Sequence, residues 1–286
     1  MIRRTSVRAL SFLCSIGLAL SACSAKGRIV RLIDEDYCFP IEDDFGGDIQ
    51  RGRLERLKAH GVAGRRALLQ VASKQGEHQA CALAYLCTLA DERAVPLALD
   101  FLRRGDASIP VQENALTCLG ATRDLEFIDE IEPYLHSPVH TVRQLAVEAM
   151  AMINHIRARA LLRNILAHPE YDHFQHVVVR ALAWQKDEEA IPLILEEDKR
   201  PEANDLVRYE IVAALSAINA IDTFREALDV ASRIKTKPTR VDALEAIWNG
   251  LQGQLSALPF NRDRDEERAA IERAIEELKR RHRAER

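Results

Sequence analysis

The chain has 286 residues, of which 47% are hydrophobic and 5% aromatic, and its 40 Lys and Arg against 44 Asp and Glu give a net charge of −4. This apolar content is enough for a packed core and excludes wholesale disorder, while the negative charge gives no electrostatic reason to expect nucleic acid as a partner. Only 12 Gly and 10 Pro stand beside abundant Ala, Leu, Glu and Arg, which disfavours a turn-rich all-β fold and favours helices.

Residues 1–22 have the composition of a signal peptide. Arg3, Arg4 and Arg8 form a positive segment, and residues 9–22 are uncharged and mostly apolar. A bilayer span needs about 20 apolar residues, so this shorter run predicts an export signal instead of a transmembrane helix. Ile2 and the residues after Arg4 fit the twin-arginine motif poorly, which favours the general secretory route.

The signal ends in Leu20-Ser21-Ala22-Cys23, which resembles the lipobox of bacterial lipoproteins. The resemblance implies that Cys23 is acylated, becomes the first residue of the mature chain and anchors it in a membrane. Ser24, in place of Asp, implies sorting to the outer membrane, facing the periplasm. An ordinary signal-peptidase site with an incidental cysteine is the alternative. Removal of residues 1–22 takes away three arginines and no acid, which changes the net charge from −4 to −7.

Residues 23–48 are predicted to form a lipidated N-terminus and a tether. They show no sustained period, and Pro40 and the Gly46-Gly47 pair argue against a helix. We expect the folded part of the chain to start after this tether, with an α-solenoid over residues 49–257 and a charged C-terminal helix within residues 258–286.

An internal repeat runs through the middle of the chain. Six segments align at separations of 31 to 33 residues, and each has apolar residues 4, 5 and 8 positions after its start. These offsets share one face of a helix, so each segment predicts an amphipathic helix with the same side buried. The six starts are His78, Val111, Val142, Phe174, Val207 and Thr239.

Between these helices lie shorter helical segments that open with Asp91, Asp124 and Asp187, each predicted to cap free amide groups. A helix pair repeated six times indicates a solenoid. Val142-Arg143, Val207-Arg208 and the openings Ala94-Val95-Pro96 and Ala190-Ile191-Pro192 resemble HEAT repeats, especially the short variety of phycobilin lyases. The resemblance implies an all-α superhelix with the second helices on its inner face, and it implies little about chemistry.

A polar residue follows each repeat start. We interpret this column as a hydrogen-bond ladder between repeats, and a stripe that reads a ligand is the alternative. In the second case Arg143, Arg208 and Arg240 are the candidate partner-binding residues. The column consists of Gln79, Gln112, Arg143, Gln175, Arg208 and Arg240.

The last segment predicts one charged helix over residues 261–281. Its apolar stripe is narrow, comprising Ile271, Ile275 and Leu278, and its acids and bases are arranged to match the helix dipole. We expect Glu276 to pair with Arg280 and Glu277 with Arg281. The helix is interpreted as a polar cap on the solenoid, with a partner-binding coiled segment as the alternative.

Four cysteines remain beyond the predicted lipid site. From their offsets in adjacent second helices we predict a disulfide between Cys87 and Cys118 in an oxidising compartment. Cys81 is predicted to point the other way, toward the N-terminal segment, so we predict a second disulfide between Cys38 and Cys81. Buried reduced cysteines are the alternative.

Five histidines fall in or beside turns that a solenoid stacks along one edge. Three imidazoles that converge there would suit zinc or copper, whereas turn histidines are more commonly solvated polar residues. We predict no metal or other cofactor and keep these histidines as weak candidates. They are His136, His140, His168, His173 and His176.

The sequence contains no recognised catalytic motif, so we expect a binding protein instead of an enzyme. The favoured hypothesis is a lipid-anchored envelope scaffold that holds a protein partner. The alternatives are a lyase-like HEAT protein that handles metal or tetrapyrrole in the periplasm, and a structural spacer with no dedicated ligand.

Overall fold

The computed structural model describes residues 55–56, 58–76, 78–168, 174–201, 203–258 and 264–285. In these ranges all regular secondary structure is helical. The predicted signal peptide, tether, Cys23, Cys38 and His173 lie outside the described residues.

The helices alternate between a first and a second member of each pair, as the repeat predicts. A 3-10 turn precedes or follows some of them, at Leu125–Phe127, Glu132–His136 and Glu188–Ala190. The helices are α1 Gly61–Ala72, α2 Gln79–Thr88, α3 Ala94–Arg104, α4 Ile109–Thr122, α5 Ile128–Ile131, α6 His140–Ile153, α7 Ile156–Ala167, α8 Gln175–Trp184, α9 Ile191–Asp198, α10 Asp205–Asn219, α11 Phe224–Ser232, α12 Lys237–Ala257 and α13 Asp265–Glu285.

The chain divides into two compact units, Met1–Thr122 and Arg123–Arg286. In the first unit α1 packs on α2 and α3 on α4, and the second helices α2 and α4 lie side by side. In the second unit the second helices α6, α8, α10 and α12 form a row, and each packs against the first helix of its pair. The boundary falls inside the segment predicted as one solenoid.

The buried faces confirm the predicted register. Every residue at offsets 4, 5 and 8 from the six repeat starts is buried, and the most exposed of them is Leu244 at 5%. Small residues at these offsets, such as Ala82 and Ala146, are completely enclosed. The fold is therefore an all-α solenoid of stacked helix pairs, since the same stripe is buried in each repeat.

The turn after each of the first four second helices has a shared backbone conformation. The residue 12 positions after the repeat start adopts a left-handed conformation, with φ between 46° and 59°. This conformation reverses the chain toward the next first helix, and it occurs here without glycine. The four residues are Ala90, Arg123, Asn154 and Lys186.

The next residue accepts a main-chain hydrogen bond in three of these turns. Asp124 and His155 are N-caps of the segments that follow them, whereas the N-cap of α3 is Arg93 and Asp91 lies two residues earlier. Asp91, Asp124 and His155 each accept a hydrogen bond from the N–H two residues later, at 3.1, 3.1 and 3.2 Å. The prediction that Asp187 acts as a cap is wrong. Its Oδ1 instead accepts from Nη1 of Arg163 at 3.2 Å, because the turn places the carboxylate against the preceding first helix.

Helix α13 packs against α12 and buries its narrow apolar stripe, Ile271, Ile275 and Leu278. It begins at Asp265 and ends at Glu285, later at both ends than predicted. Glu277 pairs with Arg281 at 2.9 Å as expected. Glu276 pairs with Lys279 at 2.5 Å, which differs from the predicted Arg280, because positions three apart are also neighbours on a helix.

Within the described ranges, no helix combines the length and the apolar character needed to cross a membrane.

Candidate protein-docking face

In the described part of the second unit, the row of second helices has one side whose residues are half-buried or exposed, and α13 reaches this side at Glu245 of α12. Residues six positions after each repeat start lie opposite the buried offsets. In this unit they are Glu148 on α6, Arg180 on α8, Ala213 on α10 and Glu245 on α12, and all are half-buried or exposed. We name the outward side of α6, α8, α10 and α12 the second-helix face.

Trp184 is the most exposed aromatic side chain among the described residues of this face. It occupies the last turn of α8, four residues after Arg180, and 71% of its surface is exposed. On the neighbouring helix α10 the equivalent positions carry the small residues Ala213 and Ala217. Tryptophan is usually well buried and is enriched at binding hot spots, so this exposure marks a candidate contact point.

Carboxylates surround one arginine on the same face. Nη2 of Arg180 lies 3.6 Å from Oε1 of Glu148, and Nε2 of Gln144 donates to the same Glu148 oxygen at 2.9 Å. Burial raises the pKa of the Glu210 carboxyl on α10, and the positive charge of Arg180 acts against that shift. Farther along the row, Oε1 of Glu245 lies 3.5 Å from Nε2 of His282. The face is acidic overall.

Trp184 is not among the binding residues predicted from the sequence. The sequence does indicate that its side chain faces outward, because Trp184 stands ten residues after the repeat start at Phe174, on the helix side opposite offsets 4, 5 and 8.

The polar residue that follows a repeat start forms its hydrogen bond inside its own helix pair. Gln79, Gln112 and Arg143 donate to main-chain oxygens five to seven residues earlier: those of Ala72 at 3.1 Å, Ala107 at 2.8 Å and Ser137 at 2.9 Å. The predicted ladder between repeats is therefore wrong for these hydrogen bonds, which close within one pair. These bonds form within one pair because the first turn of a second helix lies beside the unpaired carbonyls that end the first helix.

The candidate arginines each have an internal partner. Arg143 lies over the ring of Phe174 at 5.0 Å, which is a contact with the next repeat. Nε of Arg208 donates to Oδ1 of buried Asp198 at 2.8 Å, and Arg240 donates to the main-chain oxygen of Ile234 at 2.6 Å. Partner binding by Arg143, Arg208 and Arg240 stays a prediction, and these arginines have a structural role in either case.

The histidine candidates do not converge in the described part of the chain. His140 stacks edge to face on Phe174 at 5.6 Å, and Nδ1 of His168 lies 2.6 Å from the main-chain oxygen of Asn164. Across the described residues, including His136 and His176, no three His, Cys, Asp or Glu side chains form a group suited to a metal ion.

Cys87 and Cys118 form a disulfide in the first unit, between α2 and α4, with Cα atoms 5.5 Å apart. This is the pair that the offsets predicted. Cys81 is also disulfide-bonded, and its predicted partner Cys38 lies outside the described residues.

The first unit also holds a cavity of about 420 Å³ beside the turns that join α1 to α2 and α3 to α4. Phe101 and Gln79 line it together with Arg104. The guanidinium of Arg104 pairs with Asp100 at 2.9 Å and lies over the Phe101 ring at 5.2 Å. These contacts already engage the arginine, so the second-helix face is the stronger candidate site.

Comparison with known proteins identifies the repeat type. Residues 95–177 and 128–216 match the HEAT repeats family, so the chain carries HEAT-like repeats. No curated protein matches the chain in sequence.

Two solved structures are similar to the chain at TM-scores below 0.5. The complex of CpcE and CpcF of phycocyanin lyase from Nostoc sp. is 15% identical over 75% of this chain and 94% of that chain, with a TM-score of 0.46. Human deoxyhypusine hydroxylase is 16% identical over 93% of this chain and 99% of that chain, with a TM-score of 0.33.

Proposed function

We propose that the protein is a lipid-anchored scaffold of the bacterial envelope that binds a protein partner on its second-helix face and has no catalytic role. The exposed indole of Trp184 is the observation that supports this most strongly. HEAT-like repeats build their core between first and second helices, which leaves an extended side of the second helices for a partner.

Several features of the face suit protein binding. Trp184 offers a rigid aromatic surface, and the equivalent positions of α10 carry alanines, which are small. The half-buried polar residues Glu148 and Glu210 lie on the same face. An aromatic anchor inside a polar border is the usual anatomy of an interface hot spot.

The envelope location rests on two further observations. Leu20-Ser21-Ala22-Cys23 has the lipobox pattern, and Ser24 agrees with outer-membrane sorting on the periplasmic side. The Cys87–Cys118 disulfide suits an exported protein, because disulfides persist in the periplasm and are rare in the cytosol.

The anchor is tested by replacing Cys23 with alanine. Cells fed a radiolabelled fatty acid should label the unaltered protein, and C23A should lose both the label and its place in the membrane fraction. Cys14 is a matched control, because it is another cysteine of the leader and lies outside the lipobox. C14A should therefore stay labelled, and equal labelling of C23A would refute lipidation at Cys23.

The docking role is tested by quantitative co-purification from detergent-solubilised envelopes. The comparison uses the unaltered protein, W184A and L206A. Leu206 is a suitable control because it is also well exposed, at 57%. It lies in the first turn of α10, whereas Trp184 lies in the last turn of α8. A specific partner should be retained with L206A and lost with W184A. A protein profile that W184A leaves unchanged would refute docking on this face.

A further inference from the structure

The cavity of the first unit is lined in part by buried apolar side chains. Its volume is about 420 Å³, and it lies beside the turns that join α1 to α2 and α3 to α4. Phe101, Val111 and Ala80 line it, and all three are buried. Pockets for small molecules have volumes of roughly 300 to 1,000 Å³ and walls that are mostly apolar, so this cavity suits a compact ligand.

Gln79, the first residue of α2, brings a hydrogen-bond acceptor to this cavity. The residue lines the cavity and is only 9% exposed. Its Nε2 donates to the main-chain oxygen of Ala72 at 3.1 Å. In the described part of the chain, no N–H or O–H group donates to its Oε1. An acceptor that is taken out of water without a donor costs free energy, so this oxygen favours a ligand that carries a donor.

The charges at the cavity leave one carboxylate uncompensated. Arg104 lines the cavity, but its guanidinium pairs with Asp100 at 2.9 Å and its Nε donates to the main-chain oxygen of Asp100 at 3.3 Å. Asp106, in the same turn, also lines the cavity and is exposed. Among the residues that the structure describes, no cation pairs with Asp106. Since Asp100 neutralises Arg104, the unpaired charge is negative and favours a cationic ligand.

We propose that this cavity binds a small molecule that carries a primary ammonium group on a compact apolar body. Oε1 of Gln79 accepts a hydrogen bond from the ammonium group, and the Asp106 carboxylate attracts its positive charge. The apolar body contacts Phe101 and Val111. An ammonium group combines three donors with a positive charge, which suits an amide oxygen and a carboxylate together. The site lies within the first unit and does not depend on the proposed docking at the second-helix face.

Calorimetric titration of the full chain, purified in a neutral detergent, tests the proposal. The probes are butylamine, butanol and butyrate, which share one linear carbon skeleton, and titrations into detergent buffer alone are subtracted. Butylamine should bind, and butanol should bind about fivefold more weakly because a neutral donor forms a weaker hydrogen bond than a charged one. Butyrate should not bind, because it brings a negative charge and no donor to Asp106.

A matched pair of variants separates the acceptor role of Gln79 from its structural hydrogen bond. Gln112 occupies the same position in the next repeat, and its Nε2 donates to the main-chain oxygen of Ala107 at 2.8 Å. It is not among the residues that line the cavity. Q79M and Q112M each lose one such hydrogen bond, and only Q79M also loses the acceptor. Q79M should weaken butylamine binding about tenfold and Q112M should leave it unchanged, while circular dichroism shows both folds intact.

A second pair of variants tests the charge. D106N removes the carboxylate at the cavity, and E92Q removes an exposed carboxylate beyond the opposite end of α2. D106N should weaken butylamine binding about threefold, the usual effect of one exposed charge pair, and E92Q should not. Equal losses in Q79M and Q112M, or in D106N and E92Q, would overturn the proposal. Tighter binding of butyrate than of butylamine, or no binding of butylamine, would do the same.

Discussion

Gly250 of α12 faces the main-chain oxygen of Ser216 on α10 so closely that a Cβ atom at residue 250 would lie 2.6 Å from that oxygen. The same Cβ atom would lie 3.1 Å from the Cβ atom of Ala220. Main-chain atoms cannot give way as a flexible side chain does, so the two second helices approach each other closely only because residue 250 is glycine.

We predict that G250A destabilises the protein by about 2 kcal/mol, the usual cost of overpacking a tight contact. Urea unfolding followed by circular dichroism measures the change. Gly253 provides the control because nothing lies within 4 Å of a Cβ atom built there. G253A should be neutral or slightly stabilising, since alanine favours helix. Equal midpoints for G250A and the unaltered protein would contradict the close approach.

Replacing Ala90 with glycine should stabilise the protein. Ala90 has a φ of 49°, a left-handed conformation that costs an L-residue about 1 kcal/mol and glycine almost nothing. Part of this gain is offset because glycine makes the unfolded chain more flexible, so we expect about 0.5 kcal/mol. A217G, at an exposed position inside α10, should instead destabilise. Destabilisation by both variants would show that residue 90 is not left-handed.

The pair between Arg163 and Asp187 should be important for stability. The Asp187 side chain is only 4% exposed, and Arg163 supplies an opposite charge at 3.2 Å. R163M should cost about 3 kcal/mol, because it leaves a buried carboxylate without its partner. The control R157M removes an arginine from the exposed pair with Glu132 and should change the unfolding midpoint little. A neutral R163M would contradict this account.

Asp205 should make stability depend on acidic pH. Its carboxylate accepts from the hydroxyl and N–H of Thr236 and from the N–H of Lys235, and these bonds lower the pKa of Asp205 from 3.8 to about 2. A lowered pKa in the folded state means that the stabilisation is present above pH 3.8 and disappears as the pH falls toward 2.

The D205N variant should therefore lose stability near neutral pH and show a flatter pH dependence between pH 4 and 2 than the unaltered protein. Urea unfolding across this range measures both curves, with E226Q as a control for the loss of one acid. Parallel curves for D205N and the unaltered protein would show that the contact between Asp205 and Thr236 does not exist.

The helix pairs could be predicted from the sequence because burial repeats along each helix. Offsets 4, 5 and 8 identify the buried stripe of a helix from its own residues, whatever the neighbour is. The same information locates Cys87 and Cys118 on facing flanks of adjacent helices, and the structure joins these two residues.

Contacts that depend on the path of the turns could not be predicted in this way. The partners of Gln79 and Arg143 are carbonyls whose positions depend on where the preceding helix ends. The left-handed residue of each turn varies among Ala, Arg, Asn and Lys, so no glycine reveals it. Trp184 was detectable from its helical phase.

The central claim is that a partner protein contacts the second-helix face at Trp184. The most direct test places a photoreactive amino acid at position 184 or at position 206 and irradiates intact cells. The account predicts a crosslink from position 184 to an envelope protein and no such product from position 206. Crosslinks to the same protein with equal yield from both positions, or none from position 184, would contradict it.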